Sequence, residues 1–321
     1  MFKNKTIFIT GAGSIGSIIL EQLLNYDVDS IRIFDNSELK LHDLKQKYKN
    51  SKRKIKYILG DIRDKDRLSI AIRDVNIVFH TAALKHVHFC EDNPVDAVKT
   101  NVMATQNLID VCIKEDVERV MNISTDKAAN PINVMGATKL LTERMMKSAS
   151  KYRGKGKTIF TTVRFGNVLD SSGSVVPIFR DLIKTDKVIP ITDLSMTRFM
   201  MSIKDAVDLV FEATKLSQGE DIFILKMQSI KIIDLANAMM QKYNKNVGIE
   251  IVGLQTEEKI HEALITEEES KSAYENDTMI VIPSKKDTSY YKKRGFKKLK
   301  VGSITSDKNN ILSVSEIKEL L

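Results

Sequence analysis

The 321-residue chain contains no tryptophan, two cysteines and five prolines. It has no uninterrupted apolar run of the ~18 residues that a membrane-spanning helix needs, and Met1-Phe2-Lys3-Asn4-Lys5 carries no signal-peptide pattern. These absences predict a soluble, cytoplasmic protein with no membrane span. Cys90 and Cys112 lack partners at metal-ligand spacing and fall in apolar or helical stretches, which points to reduced structural thiols and to no metal site. The formal charge is +8, yet the lysines are scattered, with only mild clusters over 45–56 and 292–300. A concentrated basic face is missing, so nucleic acid is not an expected partner. Such a field favours an anionic small substrate instead.

Hydrophobic residues make up 42% of the chain, enough for a packed interior. At this length one large domain with a smaller one appended is the expectation. Short runs rich in Ile and Val read as strands over 6–10, 31–34, 55–59, 77–81, 117–123 and 158–164. Amphipathic stretches over 15–24, 37–48, 65–72, 94–115 and 134–151 read as the helices between them. The alternation predicts an α/β fold, a Rossmann-type doubly wound parallel sheet over residues 1–165. Beyond 165 the pattern is less regular, with helices over 178–185, 203–216 and 232–243 and short strands over 221–225 and 249–252. Residues 166–321 are thus expected to form mainly a smaller mixed α/β substrate-binding lobe and C-terminal extension, with some segments returning to the first domain. The polar stretch 267–277 reads as a mobile loop. Ser313 to Glu316 has capping-box spacing before a terminal helix.

The first strand runs into Gly11-Ala12-Gly13-Ser14-Ile15-Gly16, and a helix follows. Strand, glycine loop and helix in that order form a dinucleotide site: Gly11 permits the tight turn, Gly13 lets backbone approach a pyrophosphate, and Gly16 allows close packing. The phosphates would sit at the positive end of the helix that starts near Ser14. Asp35 ends the second strand roughly twenty residues further on, where a carboxylate accepts from ribose hydroxyls and repels a 2′-phosphate. NAD is therefore expected rather than NADP. Asp61 and Ile62 follow the third strand, and Asp61 either reaches the adenine or caps the next turn.

Three further segments fall at the carboxyl ends of strands, where ligands bind in open α/β sheets. The first is His80-Thr81-Ala82-Ala83-Leu84-Lys85-His86-Val87, whose small residues let a cofactor approach. The second is Ser124-Thr125-Asp126-Lys127, and the third is Met135-Gly136-Ala137-Thr138-Lys139. Together with Arg164-Phe165-Gly166-Asn167-Val168-Leu169, Gly173-Ser174-Val175-Val176-Pro177, Met196-Thr197-Arg198-Phe199 and Glu258-Lys259-Ile260-His261-Glu262, these segments carry a resemblance. The chain resembles the extended short-chain dehydrogenase/reductases, in particular the nucleotide-sugar 4,6-dehydratases of the CapD-like polysaccharide branch.

That resemblance implies an internal redox cycle on a UDP-N-acetylhexosamine, UDP-N-acetylglucosamine, with tightly bound NAD. C4 is oxidised, water is lost across C5–C6, and the hydride returns to C6 to leave a 4-keto-6-deoxy sugar. It further implies Asp126 as acid, Lys127 as the base at C5, Thr125 near the C4 oxygen and Lys139 on the nicotinamide ribose. Lys85, His86, Asn167, Ser174, Val175, Arg198 and Glu258 fall to the substrate, and a homo-oligomer is implied with helices 94–115 and 134–151 as faces. A base at Lys127 must be neutral, and Lys139 and the oxidised nicotinamide are the positive charges expected to lower its pKa.

The chain departs from the wider superfamily at Met135, where a tyrosine precedes the lysine by four residues in most members. A thioether takes no proton, so another group must accept the C4 hydroxyl proton, and Asp126 as a carboxylate is the expected acceptor. Gln255 and Glu257 replace an arginine and a glycine usual in relatives, and the glycine loop is one residue shorter than is common in extended members. Alternatives are a 4-keto-sugar reductase or epimerase on the same scaffold, or a catalytically silent NAD-binding regulator. Retention of both Asp126 and Lys127 favours the dehydratase, since reduction needs no base at C5.

Overall fold

The structure, a computed structural model, describes residues 1–171, 173–285 and 287–321. β-Branched residues suit a pleated surface, and a strand covered on both faces can be apolar throughout. Strand β1 (Thr6–Thr10) accordingly is buried at every position, as is β4 (Ile77–His80). With β2 (Ser30–Asp35), β3 (Ile55–Leu59), β5 (Arg119–Thr125) and β6 (Ile159–Phe165) they pair in parallel in the order β3-β2-β1-β4-β5-β6. Successive side chains of β1 enter different cores. Ile7 and Ile9 join Ile19, Leu20 and Phe79 on one face, while Phe8 joins Phe34, Leu68 and Leu108 on the other. The strand order reverses between β1 and β4, which opens a crevice at the carboxyl ends.

Helices α1 (Ser14–Leu23), α2 (Glu38–Lys47) and α3 (Lys65–Ile72) match the sequence reading closely. Ser37 caps α2 and Asp64 caps α3 by accepting backbone N–H bonds. The stretch 94–115 departs from a uniform helix. It is built of α4 (Pro94–Ala97), a π-helical turn over Val98–Met103 and α5 (Ala104–Lys114). Helix α6 (Val134–Ser148) begins behind the cap of Asn133.

The sheet continues past β6. Ile222–Leu225 pairs parallel to β6, Met279–Ile282 pairs antiparallel to that strand, and Tyr274–Glu275 and Lys297–Lys298 extend the edge. A further hydrophobic cluster gathers Phe179, Ile183, Leu235 and Met239 under helices Val175–Lys184 and Ile232–Tyr243.

The expectation of a mobile loop over 267–277 is corrected. Thr266 and Glu269 form a capping box on the short helix Glu267–Ser270, and Ser270 and Ala273 are fully buried. Polar composition misled here because Glu269 is spent on a buried partner, Arg164, rather than on water.

Candidate active site at the carboxyl edge of the sheet

The crevice holds a cavity of about 1060 Å³, at the upper end of ordinary small-molecule pockets of about 300–1,000 Å³. Gly11, Gly13, Ser14 and Ile15 line it with Asp35, Asp61, Ile62, Ala82 and Ala83. Gly11 has φ +89°, and a Cβ there would lie 2.8 Å from Thr81 Oγ1. A Cβ on Gly16 would sit 1.9 Å from the Gly11 carbonyl oxygen, so the third glycine is required by packing and does not face the cavity. A Cβ on Gly13 would meet no atom within 4 Å. That open space above a helix N-terminus fits a pyrophosphate.

Asp35 braces this loop, since its two oxygens accept from the backbone N–H of Ala12 at 2.6 Å and of Ser37 at 2.7 Å. Asp61 does form the local turn, accepting from the Arg63 N–H at 2.9 Å and from the Arg63 guanidinium, which holds its carboxyl below the usual range. It also lines the cavity.

The π-helical turn explains how the small-residue segment is held. It presents Asn101, which accepts from Leu84 N–H at 2.8 Å and donates to the Leu84 carbonyl and to Thr138 Oγ1. A π-turn re-aims side chains relative to a regular helix, and such turns recur at functional sites. Asn101 was missed in the sequence because a polar residue on an amphipathic helix reads as solvated. Lys85 and His86 lie just beyond, both at the cavity wall.

Thr125 closes β5, and Asp126–Ala128 forms a single 3-10 turn that sends consecutive side chains in different directions. Thr125, Lys127, Met135, Lys139, Asn167 and Ser174 all line the cavity. Asp126 does not. It is fully buried behind Thr125, whose hydroxyl donates to Asp126 Oδ1 at 2.9 Å. Lys127 Nζ lies 3.0 Å from Asp126 Oδ1, 3.3 Å from Asn167 Oδ1 and 3.4 Å from Glu262 Oε1. Neither Asp126 Oδ2 nor Glu262 Oε2 has a hydrogen-bond partner among the described residues.

The electrostatics correct one expectation. Burial, then Glu262, push the Asp126 carboxyl up against the pull of Lys127, which suits an acid. For Lys127, burial works against the charge, but Asp126 and Glu262 outweigh it and raise the pKa. Lys127 is therefore held as an ammonium, not lowered toward a free amine. Burial instead lowers Lys139, to about 8, and Lys85 at the cavity wall. Lys139 Nζ donates to the Ile123 carbonyl at 2.9 Å. Behind Lys139, Glu143 is gripped by Arg164, itself bound to Glu269.

The sequence pattern of the polysaccharide biosynthesis protein family matches residues 7–284. The chain belongs to that family. A Methanocaldococcus jannaschii relative described as an uncharacterized membrane protein is 49% identical, covering 88% of this chain and 86% of its own. Among the described residues, no helix here is long and apolar enough to cross a membrane. A Campylobacter jejuni UDP-N-acetylglucosamine 4,6-dehydratase (inverting) is 41% identical over 100% of this chain and 97% of its own. A Rickettsia rickettsii UDP-glucose 4-epimerase is 38% identical over 100% and 96%. The X-ray structure of Pen from Bacillus thuringiensis superposes with TM-score 0.94 at 41% identity, covering 100% and 97%. The dTDP-glucose 4,6-dehydratase DesIV of Streptomyces venezuelae, solved with NAD and TYD bound, shares the fold at TM-score 0.71 and 19% identity, over 79% and 86%.

In this polysaccharide biosynthesis protein not every expected site residue reaches the cavity. Val175, Arg198 and Glu258 lie outside its wall. The Arg198 guanidinium donates to the carbonyls of Thr197 and Ile260, so it braces the segment before Glu262 rather than facing a ligand. Gln255 is exposed in a turn, accepting from Glu258 N–H through its carbonyl. The residue that sequence reasoning undervalued is Glu262, 3% exposed. It was seen only as the end of a motif, and nothing local signals its contact with Lys127.

Proposed function

We propose that this family member is an NAD-dependent nucleotide-sugar 4,6-dehydratase that converts UDP-N-acetylglucosamine to a UDP-4-keto-6-deoxy-N-acetylhexosamine for surface polysaccharide or glycan synthesis. The observation that carries the reading is the buried cluster of Asp126, Lys127 and Glu262, opening through Thr125 and Lys127 onto the cavity beside the glycine loop. A site that only oxidised and reduced C4 would have no use for it. The dehydratase name of the Campylobacter jejuni relative, at 41% identity over the whole chain, supports the same reaction class.

The residues present fit a dinucleotide. The open space at Gly13 and the N-terminus of α1 would take the pyrophosphate, Asp35 the adenine ribose, and Lys139 the nicotinamide ribose. An ionised Asp35 would repel a 2′-phosphate, which favours NAD over NADP. When bound, the nicotinamide supplies the oxidant for sugar C4 and the reductant for C6.

The chain's own residues move the protons. Thr125 stands between the cavity and Asp126, so the C4 hydroxyl proton passes to Thr125 Oγ as the Thr125 proton passes to Asp126 Oδ1. Asp126 is thereby charged as the acid for the C6 hydroxyl, its proton travelling back through Thr125, and that hydroxyl leaves as water. This relay needs no tyrosine, and Met135 contributes an apolar wall, packed with Cys90 and Ala97. Lys127, at the wall, takes the proton from C5 once the C4 ketone has acidified it, and returns a proton there later. Lys85, His86, Asn167 and Ser174 line the remainder, where the UDP-sugar would bind.

An epimerase is the second reading, favoured by the Rickettsia rickettsii relative at 38% identity. The two part in one experiment. Purified protein incubated with UDP-N-acetylglucosamine in heavy water, without added cofactor, gives a C6 methyl signal and deuterium at C5 if it is the dehydratase. A C4 epimer without a methyl signal, or no conversion, overturns the proposal.

A further inference from the structure

The dehydratase reading leaves one proton without a destination. Lys127 must accept the C5 proton, yet it starts as an ammonium gripped by two carboxylates at 3.0 and 3.4 Å. An ammonium is no base. Asp126 cannot relieve it, because Asp126 is already filled by the proton from the C4 hydroxyl. The other carboxylate in reach is Glu262, which takes no part in the roles assigned so far.

Glu262 is placed for the task. It directly precedes the strand Ala263–Ile265, which packs across the 3-10 turn of Asp126–Ala128. Its side chain is 4% exposed, and Oε1 faces Lys127 Nζ while Oε2 has no hydrogen-bond partner among the described residues. Lys259 Nζ lies 3.5 Å from Oε2, and Arg198 acts on both Glu262 and Lys127 through the field. The charged groups facing the pair are thus Asp126, Lys259 and Arg198, the latter fixed by two backbone carbonyls. Lys127, then Arg198 and Lys259, keep Glu262 ionised at rest, against the burial that opposes its charge.

We propose that Glu262 is the proton reservoir of the elimination step, accepting the Lys127 proton so that Lys127 meets C5–H as a neutral amine, and giving it back at the end of the cycle. The protons balance. At rest Asp126 and Glu262 are carboxylates and Lys127 an ammonium. Oxidation of C4 places the hydroxyl proton on Asp126. Lys127 then hands one proton to Glu262, and the free amine breaks the C5–H bond, leaving the electron pair on the enolate. The C6–O bond breaks as the Thr125 hydroxyl gives its proton to the departing hydroxyl and is refilled from Asp126, the reverse of the first relay. After C6 is reduced, Lys127 returns a proton to C5 and recovers its own from Glu262. The sugar has lost one water, and the three side chains are as they began. Glu262 acts through Lys127 and so is a positioning and relay residue rather than a catalytic one.

The inference rests on the dehydratase reading, and one set of measurements separates the two. Stopped-flow absorbance of reduced nicotinamide reports C4 oxidation, and NMR in heavy water reports the C6 methyl product. Each is measured from about pH 6 to about pH 10, across the lysine range. With an internal reservoir, deprotonation of Lys127 adds no pH dependence to product formation by the wild type beyond that of C4 oxidation, because no proton need leave the site. Glu262→Gln keeps the size and the hydrogen-bond acceptor but cannot hold the proton. It should oxidise C4 normally, accumulate reduced nicotinamide and form product about 10²-fold more slowly near pH 7. Its rate should climb with pH as Lys127 loses its proton to solvent instead. Glu262→Asp should recover the wild-type profile at a reduced rate. A Glu262→Gln profile parallel to that of the wild type, at any rate, overturns the inference, and so does a change in KM alone. Absence of methyl product from the wild type overturns the dehydratase reading itself.

Discussion

Arg164 holds Glu143 through two parallel hydrogen bonds, Nε to Oε1 at 3.1 Å and a terminal nitrogen to Oε2 at 2.6 Å, with both side chains sealed from solvent. The same guanidinium takes Glu269 and the Leu264 carbonyl. One cation thus ties β6 to α6, the helix that bears Met135 and Lys139, and to the chain segment that bears Glu262. Removing it leaves two glutamates unpaired, one of them fully buried. Arg164→Leu should cost about 3–5 kcal/mol of stability, read as a fall in the denaturant midpoint. Adding Glu143→Leu should recover part of that loss, since Glu269 sits nearer solvent.

Two glycines of the loop should separate stability from binding. Gly16→Ala forces a Cβ to 1.9 Å from the Gly11 carbonyl oxygen and should lower the melting temperature of the protein even without cofactor. Gly13 has φ −78° and ψ −170°, which alanine adopts without strain, and its Cβ meets nothing. Gly13→Ala should melt within about 1 kcal/mol of the wild type but retain far less nicotinamide cofactor through gel filtration. Equal loss of stability in both variants would contradict the assignment of the open space to a ligand.

Thr125 is the link between the cavity and Asp126. Thr125→Val removes the hydroxyl while keeping the shape, and Asp126→Asn removes the final proton acceptor. Each should slow nicotinamide reduction on mixing with UDP-N-acetylglucosamine by about 10²-fold or more, whereas Thr125→Ser should stay close to the wild type. Full-rate C4 oxidation in Asp126→Asn would sink the relay.

Lys139 gives a pH signature. Its pKa falls from 10.5 in a free chain to about 8 in the folded one, because burial opposes its charge. Below pH 8 both states are protonated, and the folded state bears the whole cost of a buried charge. Between about 8 and 10.5 the unfolded chain binds more protons, so stability gained from this group rises with pH and the cost vanishes above 10.5. Lys139→Met should therefore compare most favourably with the wild type near neutral pH and lose that advantage by about pH 10, measured by denaturant unfolding of cofactor-free protein. A constant difference across the range would refute the shift.

Much of this protein is legible along the chain. The β-rich runs of the first half, the glycine loop, Asp35 at the end of β2 and the segments after β4 and β5 depend on patterns a few residues long. Burial on both faces selects Ile and Val, and a tight strand-to-helix turn selects glycine. What escaped the reading depends on contacts between distant positions. The stretch 267–277 looks solvated because its glutamates are charged, but Glu269 meets an arginine 105 positions away. The 94–115 stretch looks like one amphipathic helix, and its π-turn serves a backbone loop 17 positions back, through Asn101.

The division is sharpest at Thr125, Asp126 and Lys127. Their residue types and their place at the end of a central strand follow from the sequence, because strand propensity and the reversal of strand order are local and topological matters. Their division of labour does not. The 3-10 turn buries Asp126 behind Thr125 and turns Lys127 to the cavity, and the fold then brings Glu262 to within 3.4 Å of the amine. A buried lysine alone is pushed toward neutrality, whereas one between two carboxylates is held charged. Which of these applies is set by who the neighbours are in space, and that is a property of the packed molecule.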